Sequence, residues 1–261
     1  IGKKQNEIIN ENTILHNLKN RGPDAFGKWK NDENSIYIGH TRLAVIDLSQ
    51  NGSQPMTSSS GRYLITYNGE IYNFKEIKKE IEKKNSQKIW RGNSDTEVLC
   101  ESIELFGLEK TLEMCDGMFA FGVYDKKRKN LTLVRDQFGE KPLYYGFIKE
   151  IFFFSSDLSV LKSLINCKLK INKTSVNLLA KYSYIPSPNT IYQDIFKLEP
   201  SHYLKIDIDQ LNKYNKNFKL KTQSWKKVNT SINYNFNQVG FDDTCLKVET
   251  LLNNSVKSRM I

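Results

Sequence analysis

Cysteine is scarce and scattered in this 261-residue sequence: Cys100, Cys115, Cys167 and Cys245, with no CxxC pair. That spacing argues against a disulfide framework. The three histidines, His16, His40 and His202, stand apart from the cysteines, which argues against a zinc site. Each cysteine reads as a small buried hydrophobe. No apolar run is long enough to span a bilayer, and no basic-then-apolar leader opens the chain, so a cytoplasmic location without a membrane partner is the expectation. The net charge is +10, yet no single basic block carries it. Short clusters such as Lys78-Lys79, Lys83-Lys84, Lys126–Lys129 and Lys226-Lys227 fall on helix faces or turns, which argues against a nucleic-acid surface. What the sequence does have is 39% hydrophobic and 11% aromatic residues, enough for a packed core. Its length allows one large domain, or one domain and part of a second.

The segment Arg62–Asn73, RYLITYNGEIYN, organises the rest. Tyr63–Tyr67 has strand chemistry, and the strand is expected to break at Asn68-Gly69, with Glu70 at the break. Upstream, Glu7–Asn20 can form a helix, and Arg21-Gly22-Pro23-Asp24 reads as a tight loop. SIYIG (Ser35–Gly39) and RLAVIDL (Arg42–Leu48) read as two strands or one bent strand with a bulge. Downstream, Phe74–Lys84 has helical spacing, and Ser94-Asp95-Thr96-Glu97 fits a capping box for a helix that Gly107 stops. A short helix spans Leu108–Met114. Gly117–Asp125 and Leu131–Arg135 read as antiparallel strands, as do Leu143–Phe147 and Ile151–Ser155, with a short capped helix at Asp157–Leu164. Lys173–Tyr184 is helical, Tyr203–Ile206 is a strand, Asp207–Thr222 a polar excursion, and Asp242–Met260 an amphipathic helix with Leu246, Leu252 and Val256 inward.

Polar residues gather at five places: Arg21–Asp24, His40–Arg42, Asn68–Glu70, Ser94-Asp95 and Arg135–Lys141. Asn68-Gly69 is either a hairpin turn or an oxyanion hole. In the second case Asn68 donates from its NH2, and Gly69 lets a carbonyl approach the backbone N–H. Arg42 is either a strand-end ion pair or a bidentate grip on a carboxylate. Asp95 either compensates a helix dipole or holds an ammonium group.

RGPD, HTRLAVIDLS…GSQPM, YNGEIYNF, NSDTEVL, DGMFAFGVYD and RDQFGEKPLYY occur in that order, and together they resemble the N-terminal glutaminase domain of the glutamine-hydrolysing asparagine synthases, which are class II glutamine amidotransferases. The likeness covers roughly residues 1–164. It implies an α+β fold: a four-layer αββα sandwich of two antiparallel sheets, of the N-terminal-nucleophile hydrolase type, followed by the start of a helical or α/β synthetase domain. It divides the chain into an amidotransferase domain (1–165), a connecting segment leaving it (166–240) and the first helix of a truncated ATP-pyrophosphatase domain (241–261).

By the same resemblance, Arg42 and the backbone of Leu43, Ala44, Val45 and Ile46 bind glutamine, Asn68 and Gly69 form the oxyanion hole, Glu70 helps bind glutamine and Asp95 holds its amino group. Arg135, Asp136 and Lys141 read as architectural. Glutamine would be hydrolysed to glutamate and ammonia, and the ammonia would amidate aspartate through β-aspartyl-AMP, the work of a carbon–nitrogen ligase in amino-acid biosynthesis. The family's nucleophile is an N-terminal cysteine in Cys-Gly-Ile, and this chain opens Ile1-Gly2 instead. The expectation is a fragment that lacks that cysteine and most of the synthetase domain and is inactive as it stands. On this reading the fragment takes no cofactor and no metal. ATP, Mg and aspartate belong to the complete protein, and homodimerisation stays open. The alternatives are a relative that amidates another carboxylate, or a non-catalytic glutamine-binding domain.

Overall fold

A computed structural model describes residues 1, 11–33, 36–163, 169–211, 220–226 and 240–260. Helix α1 (Glu11–Leu18) runs into a 3₁₀ turn, Lys19–Arg21; the expected helix start at Glu7 lies outside the described residues. Strands β1 (Ala25–Asn31) and β2 (Ile36–Arg42) form an antiparallel hairpin, with Gly27 opposite His40 and Ala25 opposite Arg42. The remaining elements are β3 (Met56–Thr57), β4 (Tyr63–Ile71), α2 (Phe74–Lys84), α3 (Asp95–Phe106), α4 (Leu108–Met114), β5 (Gly117–Asp125), β6 (Asn130–Arg135), β7 (Tyr144–Ile148), β8 (Ile151–Ser155), a 3₁₀ segment at Leu158–Ser163, α5 (Lys173–Tyr182), β9 (Ile195–Lys197), β10 (His202–Asp207), α6 (Ile208–Leu211), β11 (Thr222–Ser224) and α7 (Phe241–Arg259). Leu164 and most of the polar excursion, residues 212–219, fall outside the described residues.

One sheet has six strands in the order β11-β10-β6-β5-β4-β3, and a second has three in the order β8-β7-β9. Every strand pair is antiparallel. Strands β9 and β10 come from the stretch that the sequence reading treats as leaving the domain. They are hydrogen-bonded into the two sheets, β9 against β7 and β10 against β6.

Side-chain alternation builds the layers. On one face of the large sheet, Ile65, Tyr67 and Ile71 of β4 and Phe119, Phe121 and Val123 of β5 pack against Ile77 and Ile81 of α2 and Val98, Leu99 and Ile103 of α3. On the other face, Leu64, Ala120, Tyr124 and Leu133 meet Tyr145 and Phe152 of the small sheet. A third cluster sets Ile148, Val160, Leu161 and Ile195 against Ile14 and Leu18 of α1. The result is helix, sheet, sheet, helix, the expected αββα order. Each fully buried aliphatic or aromatic side chain contributes about 1.5–3 kcal/mol to that stack.

Two expectations about the strands at the site need correction. The strand RLAVIDL does not form. β2 ends at Arg42, and Leu43–Leu48 leaves it as an irregular loop. Asp24 takes the backbone bonds that a partner strand would have taken: its N–H donates to Arg42 O (3.1 Å), and Ala44 N–H donates to its Oδ2 (2.8 Å). The alternating Leu43 and Val45 find no face to bury and stay exposed. Nor does the chain break at Asn68-Gly69. β4 continues to Ile71, with Asn68 opposite Ala120 and Gly69 opposite Phe119. Glycine is needed there for close cross-strand approach, not for a turn: a Cβ on Gly69 would run into Met118 O and lie 2.6 Å from Phe119 Cα.

Candidate active site at the open edge of β4

The short β3 pairs only with Leu64 and Ile65, so β4 has an open edge from Thr66 onward. Three N–H groups point along that edge. Tyr67 N–H donates to the Gln54 Oε1 carbonyl (2.7 Å), and Ile71 N–H donates to Asp95 Oδ2 (3.1 Å). Gly69 lies between them. Its partner Phe119 turns its own backbone groups the other way, accepting Asp136 N–H at 2.7 Å and donating to Asp136 Oδ2 at 3.3 Å. The ladder therefore leaves Gly69 N–H facing the open edge. One residue earlier, Asn68 Nδ2 is buried and carries no hydrogen bond among the described residues. Among the described residues, Asn68 Nδ2 without a partner thus stands next to a backbone N–H that faces the open edge, between Tyr67 and Ile71, whose N–H groups are both taken. A buried orphan donor costs about 1–3 kcal/mol and calls for a functional explanation.

The helix beyond the edge brings in the acid. Ser94 caps α3, its Oγ accepting Glu97 N–H (3.3 Å), and this sets Asp95 in the first turn. The reciprocal half of the expected capping box is absent. The Glu97 carboxylate accepts instead from the N–H groups of Arg91 (3.0 Å) and Gly92 (3.1 Å). Asp95 is 5% exposed, and its Oδ2 also accepts the Tyr67 hydroxyl (2.6 Å). Burial raises its pKa, and those hydrogen bonds oppose the rise. Burial likewise pushes the Tyr67 hydroxyl up, and the Asp95 charge adds to it.

Arg42 stands at the end of β2. Its Nη1 donates to Ser49 O (2.7 Å) and its Nη2 to Asp47 O. Part of the guanidinium fork is thus spent on the loop that follows, and its remaining N–H groups are left for a ligand. Of the other residues expected here, Ala44 is tied by its N–H to Asp24, Leu43 and Val45 direct their side chains to solvent, Ile46 packs at the margin of the core, and Glu70 is half-buried beside Asn68 on β4. The RGPD loop secures this region from below. Arg21 Nη1 donates to Ser156 O (2.8 Å) and pairs with Asp157 Oδ2 (3.1 Å).

Behind Asn68 a cavity of about 200 Å³ lies between the sheets, with His40, Thr66 and Asn68 among aromatic and aliphatic neighbours such as Phe121, Phe152 and Phe154. His40 Nδ1 is 3.2 Å from Thr66 Oγ1. Burial lowers the His40 pKa to about 4, and the Arg42 charge adds to the effect. The unfolded chain, with a histidine near 6.5, binds more protons than the folded one between those values. The contribution of His40 to stability is therefore complete above pH 6.5 and falls as the pH drops towards 4. In urea unfolding across this range, His40→Gln is expected to remove about 1–3 kcal/mol of that acid sensitivity. An unchanged pH slope would show that His40 is not its source.

Sequence reasoning missed Gln54 and Asp47. The first stands in for a missing strand by capping Tyr67 N–H, and nothing local in GSQPM announces it. The second had a local signal: in Asp47-Leu48-Ser49 the carboxylate accepts the N–H two residues on (2.8 Å), a turn that aspartate favours. The architectural reading of Arg135 and Asp136 agrees with their contacts. Arg135 donates to the carbonyls of Lys141 (2.8 Å), Leu198 (2.5 Å) and Gly139.

The family described as glutamine amidotransferase domain matches residues 1–218. A Methanocaldococcus jannaschii protein, provisionally named glutamine-hydrolysing asparagine synthetase 2, is 36% identical over 232 residues, covering 80% of this chain and 44% of that protein. The glutamine-hydrolysing asparagine synthetase 3 of Bacillus subtilis is 31% identical over 247 residues, covering 94% of this chain and 37% of its own length. The chain thus spans less than half of either relative. Among solved structures, the B. subtilis glutamine phosphoribosylpyrophosphate amidotransferase complexed with ADP and GMP superposes with a TM-score of 0.56 at 17% identity, over 82% of this chain and 45% of that one. That likeness concerns the fold, an N-terminal-nucleophile hydrolase sandwich.

Proposed function

Because this chain belongs to the family of glutamine amidotransferase domains, we propose that the open edge of β4 receives the side-chain amide of glutamine and stabilises the oxyanion formed when that amide is attacked. The observation that carries the reading is Asn68 Nδ2, buried with no hydrogen bond among the described residues, next to Gly69 N–H, which the strand register leaves facing the open edge. Arg42 takes the α-carboxylate and Asp95, through its other oxygen, the α-ammonium group, while Leu43–Ile46 and Glu70 flank the ligand. Donors fixed in advance at the developing negative charge cost no reorganisation during the reaction. The C–N bond of the amide breaks, water supplies the hydroxyl of the new carboxyl group, and glutamate and ammonia leave.

The attacking group is, on this reading, an N-terminal cysteine, which is not among the 261 residues. No cysteine described here replaces it. Burial pushes Cys115 up to about 12 and Cys100 higher still, and Cys245 sits exposed on α7. The complete protein would pass the ammonia to aspartate activated by ATP as β-aspartyl-AMP. Residues 241–261 would begin the domain that performs this step, and the exposed Leu246, Leu251, Leu252 and Val256 on α7 support that assignment. Among the described residues no cluster of His, Cys, Asp or Glu could hold a metal ion. No described helix is long and apolar enough to cross a membrane.

Arg42→Ala tests the assignment. In the cysteine-bearing protein it is expected to raise KM for glutamine about tenfold or more while kcat stays within about threefold. A drop in kcat at unchanged KM would contradict the role given to Arg42. Glutamine-dependent formation of AMP and asparagine from aspartate and ATP tests the acceptor, and hydrolysis without asparagine would point to another carboxylate.

A further inference from the structure

Asp47 joins the two holders of the head group. Its backbone carbonyl accepts Arg42 Nη2, and its Oδ1 accepts Ser49 N–H (2.8 Å) and the Ser49 hydroxyl (2.6 Å). Those bonds fold the loop so that Ser49 O also faces the guanidinium, 2.7 Å from Nη1. Its Oδ2 accepts Asn93 N–H (2.9 Å), directly before the Ser94 cap and two residues before Asp95. Both contacts are close fits. A Cβ on Gly52 would collide with Arg42 Nη2, and one on Gly92 with Asp47 Oδ2. Asp47 is buried and its carboxylate is occupied by protein donors, so it is not itself placed to hold a ligand. The Ser49 hydroxyl and the Asn93 N–H hold its pKa below the usual range, which keeps it charged and accepting.

We propose that Asp47 is a positioning residue that fixes Arg42 and Asp95 relative to each other, so that, with the side-chain amide held at Asn68 and Gly69 as a third point, L-glutamine reaches all three and D-glutamine does not. The inference rests on the glutamine-binding reading. The carboxylate and ammonium of an α-amino acid are separated by a single carbon, so their two holders must keep a spacing true to about 0.5 Å. Arg42 comes from the end of β2 and Asp95 from the start of α3. Among the described residues, Asp47 is hydrogen-bonded to both the Arg42 guanidinium and the lead-in to Asp95.

Calorimetric titration with L-glutamine and D-glutamine tests this. Asp47→Ala is expected to weaken L-glutamine binding about tenfold or more and D-glutamine much less, so that the L-to-D preference falls. Asp47→Asn, which keeps the size and one acceptor, is expected to fall between wild type and alanine, and it serves alone if alanine prevents folding. On top of Arg42→Ala, either variant should weaken binding by less than about threefold further, since the residue it positions is already gone. A loss of folded protein alone would lower the binding stoichiometry and leave the L-to-D preference intact. An unchanged preference, or fully additive losses, would overturn the inference. A wild-type chain that binds no glutamine would remove the functional reading and this inference with it; a wild type that binds, with Asp47 variants that keep its preference, would remove this inference alone.

Discussion

Asn68→Ala is expected to lower kcat for glutamine hydrolysis by about a hundredfold or more in the cysteine-bearing protein, with KM changed little. The size follows from the environment. Asn68 Nδ2 lies buried at the wall of the cavity between the sheets. There a donor aimed at developing charge is screened far less than in water. The stability side of the same variant is equally diagnostic. Because Nδ2 makes no internal hydrogen bond among the described residues, alanine removes an orphan donor and breaks no native bond at that atom. The folded state is expected to hold its urea midpoint or gain slightly, while activity collapses. A catalytic loss matched by a loss of stability would mean that Asn68 is a structural residue. A raised KM with kcat intact would move it from the oxyanion to ground-state binding.

Asp136→Ala is expected to show the opposite pattern, a large loss of stability. Asp136 has no exposed surface. Its Oδ1 accepts the N–H groups of Phe138 (3.0 Å) and Glu140 (3.0 Å), and its Oδ2 those of Lys141 (3.0 Å) and Phe119 (3.3 Å). Its own N–H and carbonyl are used as well, on Phe119 O and Ser201 N–H. One carboxylate thus closes the loop that follows β6 and fastens it to β5, opposite Gly69. Alanine would leave four N–H groups without an acceptor, each costing about 1–3 kcal/mol where water cannot replace it. A loss of about 4 kcal/mol or more is expected in urea unfolding. Asp136→Asn, which keeps one acceptor but turns an NH2 towards donors, should lie between. A loss below about 1 kcal/mol for alanine would show that water or a rearranged loop satisfies those groups.

These two residues show what could be read from the sequence and what could not. Elements set by local periodicity came out with correct bounds. α2 carries Phe74, Ile77 and Ile81 at helical spacing, and β5 alternates Phe119, Phe121 and Val123. Elements set by distant partners did not. The apolar alternation of Leu43 and Val45 looks like a strand, but Asp24, from the RGPD loop, claims that backbone. Asn68-Gly69 has hairpin chemistry, yet nine register pairs with β5 carry the strand straight through it. β1 and β9 are short or weakly patterned, and they exist because β2 and β7 offer them an edge. The site residues Arg42, Asn68, Gly69 and Asp95 were legible as chemistry, each with a plain structural alternative. The contacts around them were not, because a turn at Asp47 and a capping glutamine at position 54 act across the chain.

The most direct test of the oxyanion assignment is a crystal structure with glutamine bound. The side-chain carbonyl oxygen is expected within about 3.5 Å of both Asn68 Nδ2 and Gly69 N, with the α-carboxylate on Arg42 and the α-ammonium on Asp95. Glutamine bound with that oxygen turned away from Asn68 and Gly69, or bound elsewhere on the molecule, would contradict it.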